Sequence, residues 1–400
     1  MSFERKHLNN LRSAVDTAAI VLLLCLFIVQ LPIAIASSYI LGLLFLVFGA
    51  SSAELKTKYV EICVVVILFC LPAATTFNHG LTPLFYLIFS PSIVFLVIHF
   101  TNNSLDHVTK VLRNVFWAYI FGVATVLFLH WDEPEPFGAV FSWSSTNGIP
   151  AYLIIVNIAY TVAYFLKYNR IPIHPAAITL VVAFFGVGRG SIISASVLLV
   201  LGICINLFVV KSKQDIALAP KIALIALLPV LALIYSYADL ITTQYEMFVE
   251  GSKFEEGVLD VHRGYMLSDY LDKLDALSLF IGTSYDGTSI NLYYGGNPHS
   301  SFIRVHSFYG LFALLFVFAP LFLMWLSNRD RTQTTVIFLF AVVALMRATT
   351  EPILFPTPLD FFYIIYFVLF FRFARQKNET FKSSVAHTTL KIHARNPPVQ

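Results

Sequence analysis

The chain has 400 residues, of which 58% are apolar and only 12% charged, about half the charged share of a soluble domain. With a mean hydropathy of +0.77, this excludes a soluble enzyme, a disordered tail and a nucleic-acid binder. At roughly 20 residues per crossing, the apolar content suffices for about a dozen spans, so the sequence predicts an all-α polytopic membrane protein.

In chain order, apolar runs bounded by polar residues or Pro and Gly fall at about 15–35, 38–53, 62–77, 81–100, 114–130, 148–166, 172–188, 190–210, 222–239, 300–326, 334–350 and 359–374. They divide the chain into helices 1–9 (1–239), a long outer loop (240–298), helices 10–12 (299–375) and a tail (376–400). Charge tests the count. With both termini inside, the outer segments keep only Arg189, Lys253, Arg263, Lys273, Arg304 and Arg347 of the 26 basic residues. Three of those lie in the long loop, where translocation is largely indifferent to charge. Near the N-terminus, Ala34-Ile35-Ala36 after an apolar run has the form of a signal-peptide cleavage site. The run is longer than a typical signal core and another follows at once, so an uncleaved signal-anchor helix is expected. Cys25, Cys63, Cys70 and Cys204 sit inside apolar runs with no CxxC, and read as small buried hydrophobes.

Two outer loops differ in character. The segment from His130 to Gly148 holds Asp132, Glu133 and Glu135 and no basic residue. It reads as a solvated acidic turn, with a divalent-cation site as the lesser alternative. In the long loop, Tyr265, Met266, Tyr270, Leu274 and Leu277 recur at helical spacing, which predicts a short amphipathic helix on the membrane surface. After Gly282 the composition turns to Gly, Ser, Asn and Tyr, ending at Gly295-Gly296-Asn297-Pro298, which is turn chemistry.

The basic residues that interrupt apolar context gather at one level, the outer ends of the helices. Arg189 lies between the seventh and eighth runs in Gly186-Val187-Gly188-Arg189-Gly190-Ser191, Arg304 one turn into the tenth, and Arg347 near the outer end of the eleventh. An arginine near hydrocarbon costs a few kcal/mol unless paired or hydrated. One source of partners is protein carboxylate (Asp239, Glu351, Asp360) or lipid phosphate. The other is a phosphate-bearing substrate, which guanidinium forks match bidentately. The glycines around Arg189 suit a helix-start anion site, and equally a tight helical hairpin.

The stretch Asn297-Pro298-His299-Ser300-Ser301-Phe302-Ile303-Arg304-Val305-His306 opens the tenth run. Pro298 suits a first helical turn, which would place His299, Ile303, His306 and Gly310 on one face. Histidine is the side chain best suited to exchange a proton near neutral pH. A metal site fits less well, since two histidines seven apart need a third ligand and no HxxxH or HExxH occurs.

These residues resemble the bacterial O-antigen polymerase/ligase family. Ligases of that family carry His-[Asn/Ser/Gln], nine residues, Gly, two residues, Gly; here His299-Ser300 is followed by nine residues and Gly310, with Ala313 in place of the last glycine. Arg189-Gly190 resembles the family's Arg-Gly at the opening of a late helix. Arg263 followed by Leu279-Phe280-Ile281-Gly282 resembles its loop arginine and glycine turn. The resemblance is specific from Gly186 to Ala313.

It implies a metal-independent, inverting glycosyltransferase at the periplasmic face of the inner membrane, with no cofactor. The donor would be a glycan on undecaprenyl pyrophosphate. The acceptor would be a lipid-linked repeat unit for a polymerase or lipid A-core for a ligase. A chain-length regulator and membrane lipids are the implied partners, and nucleic acid is not one. His299 would take or position the acceptor's proton and Arg189 would stabilise the leaving group. Arg263, Arg304, His306 and Arg347 would bind substrate. Ala313 favours the polymerase over the ligase. A flippase or transporter of lipid-linked sugars is the reading from another class, though repeated halves and broken helices are not visible.

Overall fold

In hydrocarbon a backbone can satisfy its own polar groups only as a helix or a closed barrel. In the computed structural model, which describes residues 2–29, 57–130, 133, 136–140, 147–186, 188–209, 261–327 and 331–373, the chain is 82% helix with no strand among the described residues. In order the helices are α1 (Ser2–Val29), α2 (Thr57–Ala74), α3 (Thr82–Thr101), α4 (Leu105–Leu129), α5 (Pro136–Val140), α6 (Gly148–Tyr168), α7 (Ile173–Phe185) and α8 (Arg189–Cys204, continued by a π-helical turn Ile205–Val209). Then follow α9 (Val261–Asp272), α10 (Ala276–Ile281), α11 (Ser289–Tyr294), α12 (Ser301–Leu326) and α13 (Arg331–Ala348), and α14 over 360–373.

Among the described residues, six helices are long and apolar enough to cross a membrane: Thr82–Thr101, Leu105–Leu129, Gly148–Tyr168, Arg189–Phe208, Ser301–Leu326 and Arg331–Ala348. They are compatible with a multi-pass membrane protein. The expected runs at 38–53 and 222–239, the first part of the long loop, the Ala34-Ile35-Ala36 site and the tail lie outside the described residues.

Helix α6 is the centre of the bundle, with nearly every residue from Gly148 to Ala163 buried. Its one polar pair is satisfied internally: Asn157 Nδ2 donates to Thr179 of α7 at 3.0 Å, and its Oδ1 accepts from Thr161 at 3.0 Å. The α7–α8 hairpin is closed below by Asn206, whose side-chain amide exchanges two 2.8 Å bonds with the backbone of Ile171.

Two glycines set the position of the loop helices. Gly310 sits at φ 71 inside α12 and breaks it into two halves. A Cβ there would lie 1.8 Å from the Phe280 carbonyl oxygen. Gly282, at φ 77, closes α10, and a Cβ there would lie 2.4 Å from the His306 carbonyl. Only glycine tolerates both the left-handed backbone and the missing space, so α10 docks backbone to backbone on the kink of α12.

Helix α9 falls where the spacing predicts an amphipathic helix, but it ends at Asp272, so Leu274 and Leu277 of the expected stripe lie beyond it. It turns Met266 and Tyr270 inward, 1% and 2% exposed, onto Tyr285, Ile290 and Ile303, while Tyr265, Leu267 and Leu271 stay exposed.

Candidate functional site

The ends of α6, α8, α12, α13 and α14 meet at one pole of the bundle, and the site is built from those ends upward. Helix α12 starts at Ser301, with extended Ser300 before it. Ser301 fixes that start: its hydroxyl donates to the Glu351 carbonyl at 2.8 Å and accepts from Leu354 N–H at 3.0 Å. The turn ahead of it uses left-handed backbone at Gly295, Gly296 and His299, the last at φ 43. The expected helical face shared by His299 and His306 is therefore corrected. His299 lies before the helix, in a conformation no helical register contains.

The two histidines have separate surroundings. His306 is 5% exposed and bonded on both sides. Its Nε2 lies 2.9 Å from the Leu279 carbonyl and its Nδ1 2.8 Å from the Tyr270 hydroxyl. A carbonyl can only accept, so Nε2 carries the hydrogen and Nδ1 accepts from the tyrosine. His306 ties α9 and α10 to α12. His299, by contrast, has its side chain 23% exposed, with Nδ1 3.9 Å from Glu351 Oε2, too long for a hydrogen bond. The Tyr294 ring stands edge-on to it at 5.5 Å.

Glu351 is 5% exposed and Arg347 only 1%. Arg347 Nη2 lies 3.8 Å from Glu351 Oε1 and donates to the Asn147 carbonyl at 3.4 Å, and its Nη1 donates to Thr350 Oγ1 at 2.5 Å. The start of α8 closes on the same corner. A Cβ on Gly190 would stand 2.9 Å from Thr350 Oγ1 and 3.4 Å from Arg347 Nη1, and one on Gly188 2.3 Å from Asn147 Oδ1. Glycine at 188 and 190 thus lets the first turn of α8, with half-buried Arg189 in it, press against Arg347. The result is a line from Arg347 through Glu351 to His299, with the first turn of α8, which carries Arg189, packed on Arg347 at Gly190.

Arg304 lies to the other side. Its Nη2 donates to the Leu354 carbonyl at 2.8 Å, and it walls a polar cavity of about 290 Å³ together with Pro298. Asp360 accepts from the N–H groups of Phe355 and Thr357 at 2.9 Å each. The two arginines are therefore held differently, Arg347 beside a carboxylate and Arg304 by a carbonyl. Arg263 lies in the first turn of α9, and its side chain is outside the described residues. Asp132 and Glu135 are outside them too, and Glu133 accepts from His130 Nδ1 at 2.9 Å.

From the sequence, Glu351 is one of three carboxylates that could partner the arginines, with nothing in that pairing that singles it out for the site. The signal that could have found it is its place four residues after Arg347 in Thr349-Thr350-Glu351-Pro352, a polar run closing an apolar helix. Tyr285 and Tyr270, beneath the loop, are buried phenols. Burial pushes Tyr285 up to about 12, against its bond to Ser307 and the nearby Arg304 charge, and raises Tyr270 further. Both stay protonated hydrogen-bond donors. Tyr285 bonds Ser307 Oγ at 2.6 Å.

No family model, curated protein or solved structure matches this chain. A functional reading has to stand on the chemistry of the site and on the motifs of the sequence.

Proposed function

We propose that this protein is a metal-independent, inverting glycosyltransferase of the bacterial inner membrane. It would move a glycan from undecaprenyl pyrophosphate to a lipid-linked repeat unit on the periplasmic face, as an O-antigen or exopolysaccharide polymerase. The reading includes about twelve spans, both termini in the cytoplasm and the long loop outside. The observation that carries it is the line of Arg347, Glu351 and His299 at one pole of the bundle, against which the first turn of α8 with Arg189 is packed.

In this reading His299 is the proton acceptor. An acceptor hydroxyl attacks the anomeric carbon of the donor, the bond from that carbon to the pyrophosphate oxygen breaks, and the hydroxyl proton passes to the imidazole. Glu351 stands on the Nδ1 side of the ring, 3.9 Å away, so in this reading the proton is taken at Nε2. The leaving pyrophosphate gains negative charge, and in this reading Arg189, in the first turn of α8, stabilises it. Arg347, against which that turn packs, adds positive potential. Arg304 and His306 are not on this line; His306 supports the loop helices through Tyr270 and Leu279.

The test is glycan transfer by purified protein with a lipid-pyrophosphate donor. His299→Ala and Arg189→Ala are each expected to lower transfer by about 10²–10⁴-fold while still inserting in membranes. Near-normal transfer by both variants overturns the assignment. Glycan profiles of a deletion strain identify the acceptor. One-unit lipopolysaccharide supports a polymerase, whereas bare core with accumulated lipid-linked polymer would make the protein a ligase. Transport of lipid-linked sugar that survives His299→Ala, with no transfer by the wild type, would make it a carrier.

A further inference from the structure

The segment joining α2 to α3 carries Asn78 and His79, and neither entered the reading of the sequence. His79 Nε2 lies 3.2 Å from the Thr283 carbonyl, and its ring packs 4.7 Å from Tyr285 and 4.8 Å from Phe308. These three rings are part of the lining of the 290 Å³ cavity that adjoins Pro298. The Ser284–Asp286 part of that lining is held by its own bonds. Lys273 Nζ donates to the Ser284 and Asp286 carbonyls at 2.9 and 2.7 Å, and the Ser284 hydroxyl donates to Asp286 Oδ2 at 2.7 Å.

The remaining wall is polar and available. Asn78, Thr82 and Asn291 are exposed and line the cavity. The side-chain amides of Asn78 and Asn291 bond to no other group among the described residues. Each amide offers two donors and an acceptor. The charges at the space are the Arg304 guanidinium and the Asp286 carboxylate in its lining and the Lys273 ammonium bonded to its rim carbonyls; Asp286 offsets one of the two cations, and the other, Arg304, is engaged by the Leu354 carbonyl. A lining that combines aromatic rings, unbonded amides and charges of both signs suits a neutral polyol whose ring has an apolar face. At about 290 Å³ it is near the roughly 300 Å³ lower limit of ligand pockets, enough for a sugar ring and too small for a lipid tail.

We infer that this cavity, formed by the 75–82 segment, the 284–298 loop and the first half of α12, is a saccharide subsite that seats the terminal sugar of the acceptor. The inference rests on the glycosyltransferase reading and assigns the two substrates to two sides of His299. Pyrophosphate lies towards Arg189 and Arg347, and the acceptor sugar lies beyond Pro298. A sugar held there stands next to the residue that takes its proton.

The experiment uses full-length protein in lipid nanodiscs. The probe is the free repeat-unit oligosaccharide released by mild acid from the strain's own lipid-linked intermediates. Asn78→Ala and Asn291→Ala, both at exposed positions that folding tolerates, are expected to weaken oligosaccharide binding about tenfold each. In transfer assays the acceptor KM should rise by a similar factor, with kcat falling less. Binding of undecaprenyl pyrophosphate without a glycan should not change. Wild-type oligosaccharide affinity in both variants overturns the subsite, as does no measurable binding by the wild type. Displacement of the sugar by inorganic pyrophosphate but not by excess oligosaccharide would make the cavity an anion site and overturn it as well. If the variants lose sugar binding while the wild type transfers no glycan, the subsite stands and the glycosyltransferase reading fails.

Discussion

Where the first half of α1 meets α4, α6 and the end of α14, charges are handled as on a soluble surface. His107 takes Asp16 at 2.7 Å and Lys110 takes Asn10 at 2.8 Å. Lys167 pairs with Asp106, which is 71% exposed, and Arg372 binds the backbone around Thr101 and Asn102. At the opposite pole Arg347 and Glu351 are almost completely buried, yet stand 3.8 Å apart, with His299 another 3.9 Å on. Exposed pairs form cheaply and contribute little. Buried charges are costly to assemble and are often kept for chemistry. The comparison marks the second pole as the end where charge is kept buried, which is why the proposed site is put there.

That contrast can be broken by mutation. Arg347→Ala removes an almost fully buried guanidinium beside Glu351 and should cost about 3–5 kcal/mol of stability, read as a lower midpoint in thermal unfolding of the detergent-solubilised protein. A shift no larger than that of a surface variant would erase the distinction between the poles. Gly310→Ala tests the kink that carries the loop to the site. With φ 71 and a Phe280 oxygen where the methyl would go, a loss of roughly 3 kcal/mol is expected from strain and overlap together. An unchanged midpoint would mean that α10 does not rest on α12 as described.

Acid sharpens the picture at His79. Burial holds this ring below the ordinary histidine value of 6.5 and Lys273 adds to that, while the Thr283 carbonyl and Asp286 oppose it. The folded pKa lies under the unfolded one, so the unfolded chain binds more protons between the two. His79 therefore contributes its full stability above about pH 6.5 and loses it as pH falls towards the folded pKa. His79→Gln should flatten that acid limb of the unfolding midpoint, and an identical pH profile in the variant would count against it. The smallest effect belongs to the first pole, where Lys167→Ala should cost under about 1 kcal/mol. A loss matching that of Arg347→Ala would show the two ends to be alike after all.

Helix positions were largely legible, because a long apolar run in a charge-poor chain has only one way to satisfy its backbone. The runs at 81–100, 114–130 and 300–326 fall on α3, α4 and α12. The level of Arg189, Arg304 and Arg347 was legible too, since each interrupts an apolar run at its end. The register at His299 was not. Gly295-Gly296-Asn297-Pro298 announces a turn, but not that the left-handed backbone continues to His299 and that the helix waits until Ser301. Gly310 gave a motif match without its geometry, because one glycine in an apolar run does not reveal a positive φ. Asn78 and His79, more than 200 residues before the loop they face, carried no signal at all.

Composition and periodicity alone determined that this protein is helical, built of apolar segments, and marked by arginines at one end of them. Those properties depend on the solvent each segment can tolerate and on spacing along a single helix, and both are local. Only the tertiary structure decided that His299 faces Glu351, that His306 is held by Tyr270 and Leu279, and that Asn78 reaches the 284–298 loop. Such contacts join residues far apart in the chain, and their geometry depends on how helix ends meet.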